Sequence, residues 1–337
     1  MEQKSLLESL EERILILDGA MGTMIQRHKL TEDDFRKGWF EEHGKPLKGN
    51  NDLLSLTRPD IIKEIHRAYL EAGADIIETN TFSGTTVAQA DYDLESAVYD
   101  INYHGAKIAK EVTNEFNKLD SNKPRFVAGS IGPTTKLSSM SPNVNDPGFR
   151  AITFDELVIA FEQQVTALID GGCDLLLVET VTDTLNAKAA LFAIQNVYES
   201  KNVSLPIMVS GTITDASGRT LTGQTTEAFL VSIQHMPLLS VGLNCALGAE
   251  DMKPYLKVMS DKSEFLVSAH PNAGLPNELG AYDQSPEMMA GYVEVFLKEG
   301  FLNILGGCCG TTPEHIKAIA DVAKRYSPRK VNRTISA

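Results

Sequence analysis

The chain has 337 residues, 42% of them hydrophobic and 23% charged, with a formal net charge of −14. That is ordinary globular composition with ample length for a large core, and the scattered lysines and arginines form no basic stripe, which argues against unaided nucleic-acid binding. No apolar run approaches the ~20 residues that span a bilayer, and the N-terminal stretch MEQKSLLESLEERILILDGAMG is charged and amphipathic with no apolar signal core, so the expectation is a cytoplasmic chain with no membrane partner. In a reducing compartment its cysteines lean toward metal or catalysis, and the N-x-S/T matches at Asn202 and Asn332 are chance.

Eight short apolar runs follow one another: ILILDGA (14–20), ADIIETNT (74–81), RFVAGSIG (125–132), DLLLVETV (174–181), PIMVSGTI (206–213), LSVGLNCA (239–246), EFLVSAHP (264–271) and FLNILGG (301–307). Their near-continuous apolar character predicts strands buried on both faces, as in parallel sheets. Amphipathic patterns such as RPDIIKEIHRAYLEAG, TFDELVIAFEQQVTALIDGG and SPEMMAGYVEVFLKEG lie between them. Thr153 and Ser285 stand as N-caps and Pro286 in a first turn. Eight strands alternating with helices predict one (β/α)8 TIM-type barrel over 1–326, followed by a polar tail or linker, SPRKVNRTISA, over 327–337. A doubly wound open sheet is the alternative, but no G-x-G-x-x-G follows the first strand. Two connections are long, 21–56 and 133–152, and both are βα connections, which sit over the catalytic face of a barrel. Trp39, with Phe35 and Phe40, is expected to pack the first of them down.

In a barrel, the polar residues at the strand ends share one rim. These are Asp18 and Gly19, Glu78 and Thr79, Glu179 and Thr180, Asn244 and Cys245, His270 and Asn272, and Cys308 and Cys309. A disulfide between Cys308 and Cys309 is strained, because adjacent Cα atoms lie about 3.8 Å apart and bridged pairs usually span about 4.4–6.8 Å. Cys245 and the Cys308–Cys309 pair instead converge as three thiolates, a donor set that suits zinc with a fourth position open. Neighbouring side chains on a strand point to opposite faces, so both cysteines reach one metal only if the backbone leaves strand geometry, which Gly306, Gly307 and Gly310 permit. A glycine-rich eighth loop that cradles a phosphate is the competing reading. Cys173 precedes the fourth strand and reads as a core residue. Glu179 closes an apolar run, and a buried carboxylate there needs a partner. Asp18 before Gly19 is equally an ordinary turn residue; His270 is a candidate pocket residue and His315 reads as surface.

The segments ILDGAMGTMIQ, LKGNNDLLSLTRPDII, GADIIETNTF, GLNCALGA, HPNAGLPN and GGCCGTTPEHI together resemble the homocysteine-binding module of the cobalamin-dependent methionine synthases. They are similar, more distantly, to betaine–homocysteine and S-methylmethionine–homocysteine methyltransferases. The resemblance covers roughly residues 10–325. It implies a (β/α)8 barrel with a catalytic Zn2+ held by Cys245, Cys308 and Cys309, and Asn272 as an exchangeable fourth ligand. It implies that Asp18, Gly19, Ala20 and Glu179 hold the amino-acid end of L-homocysteine, with Thr81 nearby. Ser83 stands where the betaine enzymes carry a tyrosine, which weakens that branch. The methyl donor implied is methylcobalamin, supplied by cobalamin-binding and folate-binding modules of the same or a separate chain, since no D-x-H-x-x-G corrin motif is present. A stand-alone S-methylmethionine–homocysteine methyltransferase is the first alternative. A non-catalytic zinc-stabilised binding module is the second, and it requires a closed four-ligand site. A cysteine-nucleophile enzyme requires a base beside one thiol, and no histidine is paired with one in the sequence.

Overall fold

The structure is a computed structural model that describes residues 4–215, 217–278, 280 and 282–331. Its strands are β1 (Leu15–Ile16), β2 (Ile76–Glu78), β3 (Phe126–Ile131), β4 (Leu175–Val181), β5 (Ile207–Gly211), β6 (Ser240–Gly248), β7 (Leu266–Asn272) and β8 (Ile304–Leu305). All pair in parallel in the order β1-β8-β7-β6-β5-β4-β3-β2, and a bridge from Leu17 to Ile76 joins the two ends. The sheet therefore closes into the (β/α)8 barrel that the eight apolar runs predict.

Alternation along the strands explains the unbroken apolar runs. Leu15, Leu17, Ile76, Phe126, Ala128, Leu175, Leu177, Met208, Leu239, Leu266 and Ile304 form one buried cluster inside the barrel. Their strand neighbours, among them Ile16, Ile77, Val127, Leu176, Val209, Val241, Val267 and Leu305, join the cluster beneath the helices. Leu6 and Leu10 of the helix Leu6–Glu12 belong to the inner cluster, so this helix covers the barrel floor. Asp75 ties the floor together: it takes a two-pronged bond from Arg13 (2.6 and 3.0 Å) and the N–H of Ile16 (2.9 Å).

Thr153 caps Phe154–Asp170 with a full capping box, and Ser285 caps Pro286–Lys298, as the sequence predicts. The connection after β1 holds the helices Met21–Arg27, Glu32–Arg36 and Leu54–Thr57, whereas that after β3 is mostly irregular and exposed from Lys136 to Arg150. Phe35 anchors the first connection in the core, while Trp39 stays 47% exposed with its ring edge-on to His104. At the C-terminal end, Arg329 donates to the carbonyls of Ser260 (2.7 Å), Ser263 (2.7 Å) and Phe265 (3.0 Å), and Asn303 donates to its carbonyl (2.8 Å). Contacts with the barrel thus run past the expected boundary at 326; residues 332–337 of the expected tail lie outside the described residues. Among the described residues, no helix is long and apolar enough to cross a membrane.

Candidate active site

Two irregularities at the C-terminal rim aim the side chains that matter. The β4–β5 register shifts between Val178 and Val181, and the β6–β7 register shifts between Asn244 and Gly248. Thr180 (φ 54°), Cys245 (φ 59°) and Ala246 (φ 52°) are left-handed there. Such a residue breaks strand alternation and re-aims its neighbours, and each costs on the order of 1–3 kcal/mol, which surrounding bonds must offset. Asn244 supplies them. Its Oδ1 accepts the Thr180 N–H (3.0 Å) and the Ser210 hydroxyl (2.8 Å), and its Nδ2 donates to Thr180 Oγ1 (2.8 Å) and points at Cys308 Sγ (3.9 Å).

Beyond β8 the chain leaves the ladder. Gly307 N–H donates to the Asp18 carbonyl (3.1 Å) and Cys308 N–H to that of Pro271 (2.9 Å). Of the three glycines around the cysteine pair, only Gly310 is left-handed (φ 79°), and a Cβ on it would fall 2.3 Å from that of Tyr282. The result brings Cys245, Cys308 and Cys309 together, with their sulfurs all within 4.8 Å of one another and Cys245 Sγ 3.7 Å from Cys309 Sγ. Zinc–sulfur bonds of about 2.3 Å in a tetrahedron place sulfurs about 3.8 Å apart, so the cluster fits such an ion. Hydrogen bonds from the Cys245 and Cys308 thiols favour the thiolate at Cys309 and lower it from the ordinary thiol value. Asn272 Oδ1 is buried with no hydrogen-bond partner among the described residues, and the next residue, Ala273, donates its N–H to the Cys309 carbonyl (3.0 Å). Asn272 itself is not among the residues that line the cleft, so the structure joins it to the cysteines only through this backbone bond. Cys173 lies apart in the core, its thiol pushed up to about 12 by burial.

The thiols open onto a cleft of about 780 Å³, whose lining includes Asp18, Gly19, Ala20, Glu78, Thr79, Glu179 and His270. Glu179 Oε1 accepts the Ser130 hydroxyl at 2.5 Å, and both Asp18 carboxylate oxygens lie 3.2 Å from the Glu78 N–H. Burial pushes Glu179 up to about 7 and raises Asp18 and Glu78 well above the usual carboxylate range. No lysine is among the described residues lining the cleft, and Arg27 there is exposed. Asp18 and Glu179 are buried and Glu78 is half-buried, with no buried lysine or arginine among the described lining residues, so a cationic ligand would offset the cost of ionising them.

Other expectations land differently. Ala20 faces the cleft, but its N–H donates to Thr311 Oγ1 (3.1 Å). The helix Met21–Arg27 then starts with no side-chain cap on its first-turn N–H groups. Thr81 is fully buried behind the wall; its hydroxyl donates to the Ser130 carbonyl (2.8 Å), and Thr79 lines the cleft in its place. His270 lines the cleft, and burial keeps its ring neutral. His315 is not surface: it is buried, bonded to the Thr312 cap through Nδ1 (3.0 Å) and to the Gln284 carbonyl through Nε2 (2.8 Å). The sequence reading gave no role to Asn244, Tyr282 or Glu78. Glu78 carried a usable signal, an acid at a strand end following two isoleucines.

Fold and site define a class: a parallel (β/α)8 barrel with a three-thiol candidate metal centre facing an acidic cleft. A family model described as homocysteine S-methyltransferase matches residues 15–323, and the chain belongs to that family. Among solved structures it is similar to the homocysteine methyltransferase MmuM from Escherichia coli in its metallated form, with 21% identity and a TM-score of 0.72, over 94% of this chain and 98% of that one. The oxidised form of the same protein matches at 20% identity and a TM-score of 0.72, covering 94% and 97% of the respective chains. Its apo form matches at 20% and 0.68, covering 95% and 98%.

Proposed function

We propose that this chain transfers a methyl group to the sulfur of L-homocysteine, giving methionine, with Cys245, Cys308 and Cys309 holding a catalytic Zn2+ and Asn272 as its exchangeable fourth ligand. The observation that carries the reading is the meeting of three thiols and three acids in one cleft. Zinc, when bound, supplies the charge that keeps an incoming thiol deprotonated at neutral pH, and the thiolate is the nucleophile. The chain's own residues do the rest. Glu179 and Asp18 take the substrate ammonium. The cleft edge at Gly19 and Ala20 takes its carboxylate. Held at both ends of its amino-acid group, the substrate presents its sulfur to the cysteines and to a donor arriving from the open rim. The sulfur lone pair then forms the new S–CH3 bond, the donor keeps the electron pair of the bond it loses, and the thiol proton has already left to solvent. We place this activity in one cytoplasmic barrel domain that extends past the expected boundary at 326 to Arg329, which is bonded to Ser260, Ser263, Phe265 and Asn303.

Two readings remain for the donor. The end-to-end correspondence with the E. coli homocysteine methyltransferase supports a chain that acts alone on a small sulfonium such as S-methylmethionine. The motifs LKGNNDLLSLTRPDII and HPNAGLPN favour a homocysteine module of methionine synthase, with methylcobalamin delivered by cobalamin- and folate-binding modules. The deciding experiment measures methionine formed by the purified zinc-loaded chain with S-methylmethionine, methylcobalamin or methyl-folate. Efficient turnover of the sulfonium supports the first reading. Slow turnover of free methylcobalamin alone supports the second, slow because a tethered donor's effective concentration is missing. No methionine from any of the three contradicts the proposed function.

A further inference from the structure

A second cavity, of about 240 Å³, adjoins the cleft and belongs to no part of the reading above. Met21, Gly22, Asn80 and Phe82 line both spaces and form the threshold between them. One water takes about 30 Å³ of liquid, so this annex has room for a substrate group. Asn51 and Asp52, in the connection after β1, line it. Asp52 is 4% exposed; its Oδ2 accepts the Ser83 N–H at 2.7 Å, and its Oδ1 has no partner among the described residues. No lysine or arginine is among the described residues lining the annex, and among the described residues Asp52 makes no ion pair. Asn51 is half-buried, and its side-chain amide makes no hydrogen bond among the described residues. Its Nδ2 lies at the threshold, 3.7 Å from the place a Cβ on Gly22 would take. By contrast, the Asn50 amide is paired with that of Gln89 (2.7 and 3.2 Å), and the Asn80 amide donates to the Asn51 carbonyl (2.8 Å) and to Ser55 (3.2 Å).

A buried acid beside a cavity, with no cation of its own, is costly to ionise until a cationic group arrives to offset the burial. An ammonium suits Asp52 Oδ1 both as a charge and as a hydrogen-bond donor. The Asn51 amide, with two N–H donors, suits a carboxylate. Side by side, the two residues answer to the two ends of an amino-acid group. We propose that the annex is the subsite for a second amino-acid group, that of the methyl donor: Asp52 takes its ammonium and Asn51 its carboxylate, while its sulfonium reaches across the threshold into the cleft. The donor class is then an amino-acid sulfonium such as S-methylmethionine, whereas methylcobalamin presents no such group. This rests on the homocysteine reading for the acceptor and takes the first of the two donor readings. The sulfonium gives its methyl to the homocysteine sulfur and keeps the electron pair of the broken bond as a neutral thioether, so donor and acceptor both end as methionine.

The test uses the zinc-loaded full chain with Asp52→Asn and Asn51→Ala, zinc content and urea unfolding being measured on each to confirm an intact barrel. An amide at position 52 keeps an acceptor for the Ser83 N–H but carries no charge. Initial rates with S-methylmethionine at saturating L-homocysteine give kcat and the donor KM, and calorimetric titration gives the homocysteine affinity. Asp52→Asn is expected to raise the donor KM about 10- to 100-fold and Asn51→Ala about 3- to 10-fold, with kcat at saturating donor within about threefold and homocysteine affinity within about twofold of the unmodified chain. A donor KM that stays within about twofold in Asp52→Asn overturns the inference and leaves the homocysteine reading intact. So does an Asp52→Asn variant whose homocysteine affinity or kcat falls along with the donor affinity, the mark of a merely structural role. If the unmodified chain makes methionine from methylcobalamin and none from S-methylmethionine, the inference and the sulfonium reading fall together while the homocysteine reading stands. If the unmodified chain binds no homocysteine, the homocysteine reading itself fails and takes the inference with it.

Discussion

Asn244→Ala tests the link between the strand irregularities and the site. Asn244 is buried and its amide joins β4, β5 and β6: Oδ1 accepts from Thr180 N–H at 3.0 Å and Ser210 Oγ at 2.8 Å, and Nδ2 donates to Thr180 Oγ1 at 2.8 Å. Truncation leaves the Thr180 N–H without an acceptor in the cleft wall, while the Ser210 hydroxyl is free to rotate. One orphaned buried donor costs about 1–3 kcal/mol, and the two other bonds add about 1 kcal/mol each at most, so the expected loss of stability is about 1–5 kcal/mol. The left-handed turn at Thr180 (φ 54°) then loses what holds it, and Glu179, its neighbour, loses its aim. Homocysteine affinity is expected to fall about tenfold or more, the equivalent of about 1.4 kcal/mol. Urea unfolding followed by circular dichroism gives the first quantity, and calorimetric titration of the zinc-loaded protein the second. A loss below about 1 kcal/mol with unchanged affinity would refute the claim that Asn244 holds the site in shape.

Three further outcomes follow from the same geometry. Alanine at Cys245, Cys308 or Cys309 is expected to abolish stoichiometric zinc binding by elemental analysis while Cys173→Ala retains it; full zinc in the Cys245 variant sinks the assignment. Glu179→Ala is expected to keep its zinc and to weaken homocysteine by about 2–5 kcal/mol, with equal binding of a simple alkyl thiol and homocysteine by the unmodified chain as the contrary result. Asp52, beside the cleft, is pushed by burial from 3.8 to about 7 and accepts the Ser83 N–H at 2.7 Å. Its native form holds a proton that the unfolded chain releases, so its contribution to stability is fully present below pH 3.8 and is lost as pH rises through about 7. At about 1.4 kcal/mol per pH unit that loss is on the order of 4 kcal/mol. Asp52→Asn is expected to flatten stability against pH between about 4 and 7 in urea titrations, and an unchanged slope tells against it.

The strands were legible because a barrel strand is apolar on both faces, and each expected run overlaps an observed strand. The cysteine trio was legible because strand ends share a rim, whatever their separation in sequence. Local pattern does not reveal where alternation breaks. LLLVETV and LSVGLNCA read as regular strands, yet left-handed residues at Thr180, Cys245 and Ala246 re-aim Glu179 and Cys245. Nor does it reveal pairings between distant segments. Asn244 reads as a strand end and locks Thr180; His315 reads as surface and caps a helix under the Gln284 carbonyl; Arg329 reads as tail and fastens the floor. Thr81 and Thr79 differ by two positions, and only the course of the chain after β2 decides which faces the cleft.

The central claim is that the three thiols hold a zinc ion whose fourth place passes from Asn272 to the homocysteine sulfur. X-ray absorption at the zinc edge tests it most directly, on the loaded chain before and after saturation with L-homocysteine. The account predicts three sulfur neighbours and one oxygen before, four sulfurs at about 2.3 Å after, and release of the thiol proton on binding. An unchanged spectrum at saturating homocysteine would contradict it.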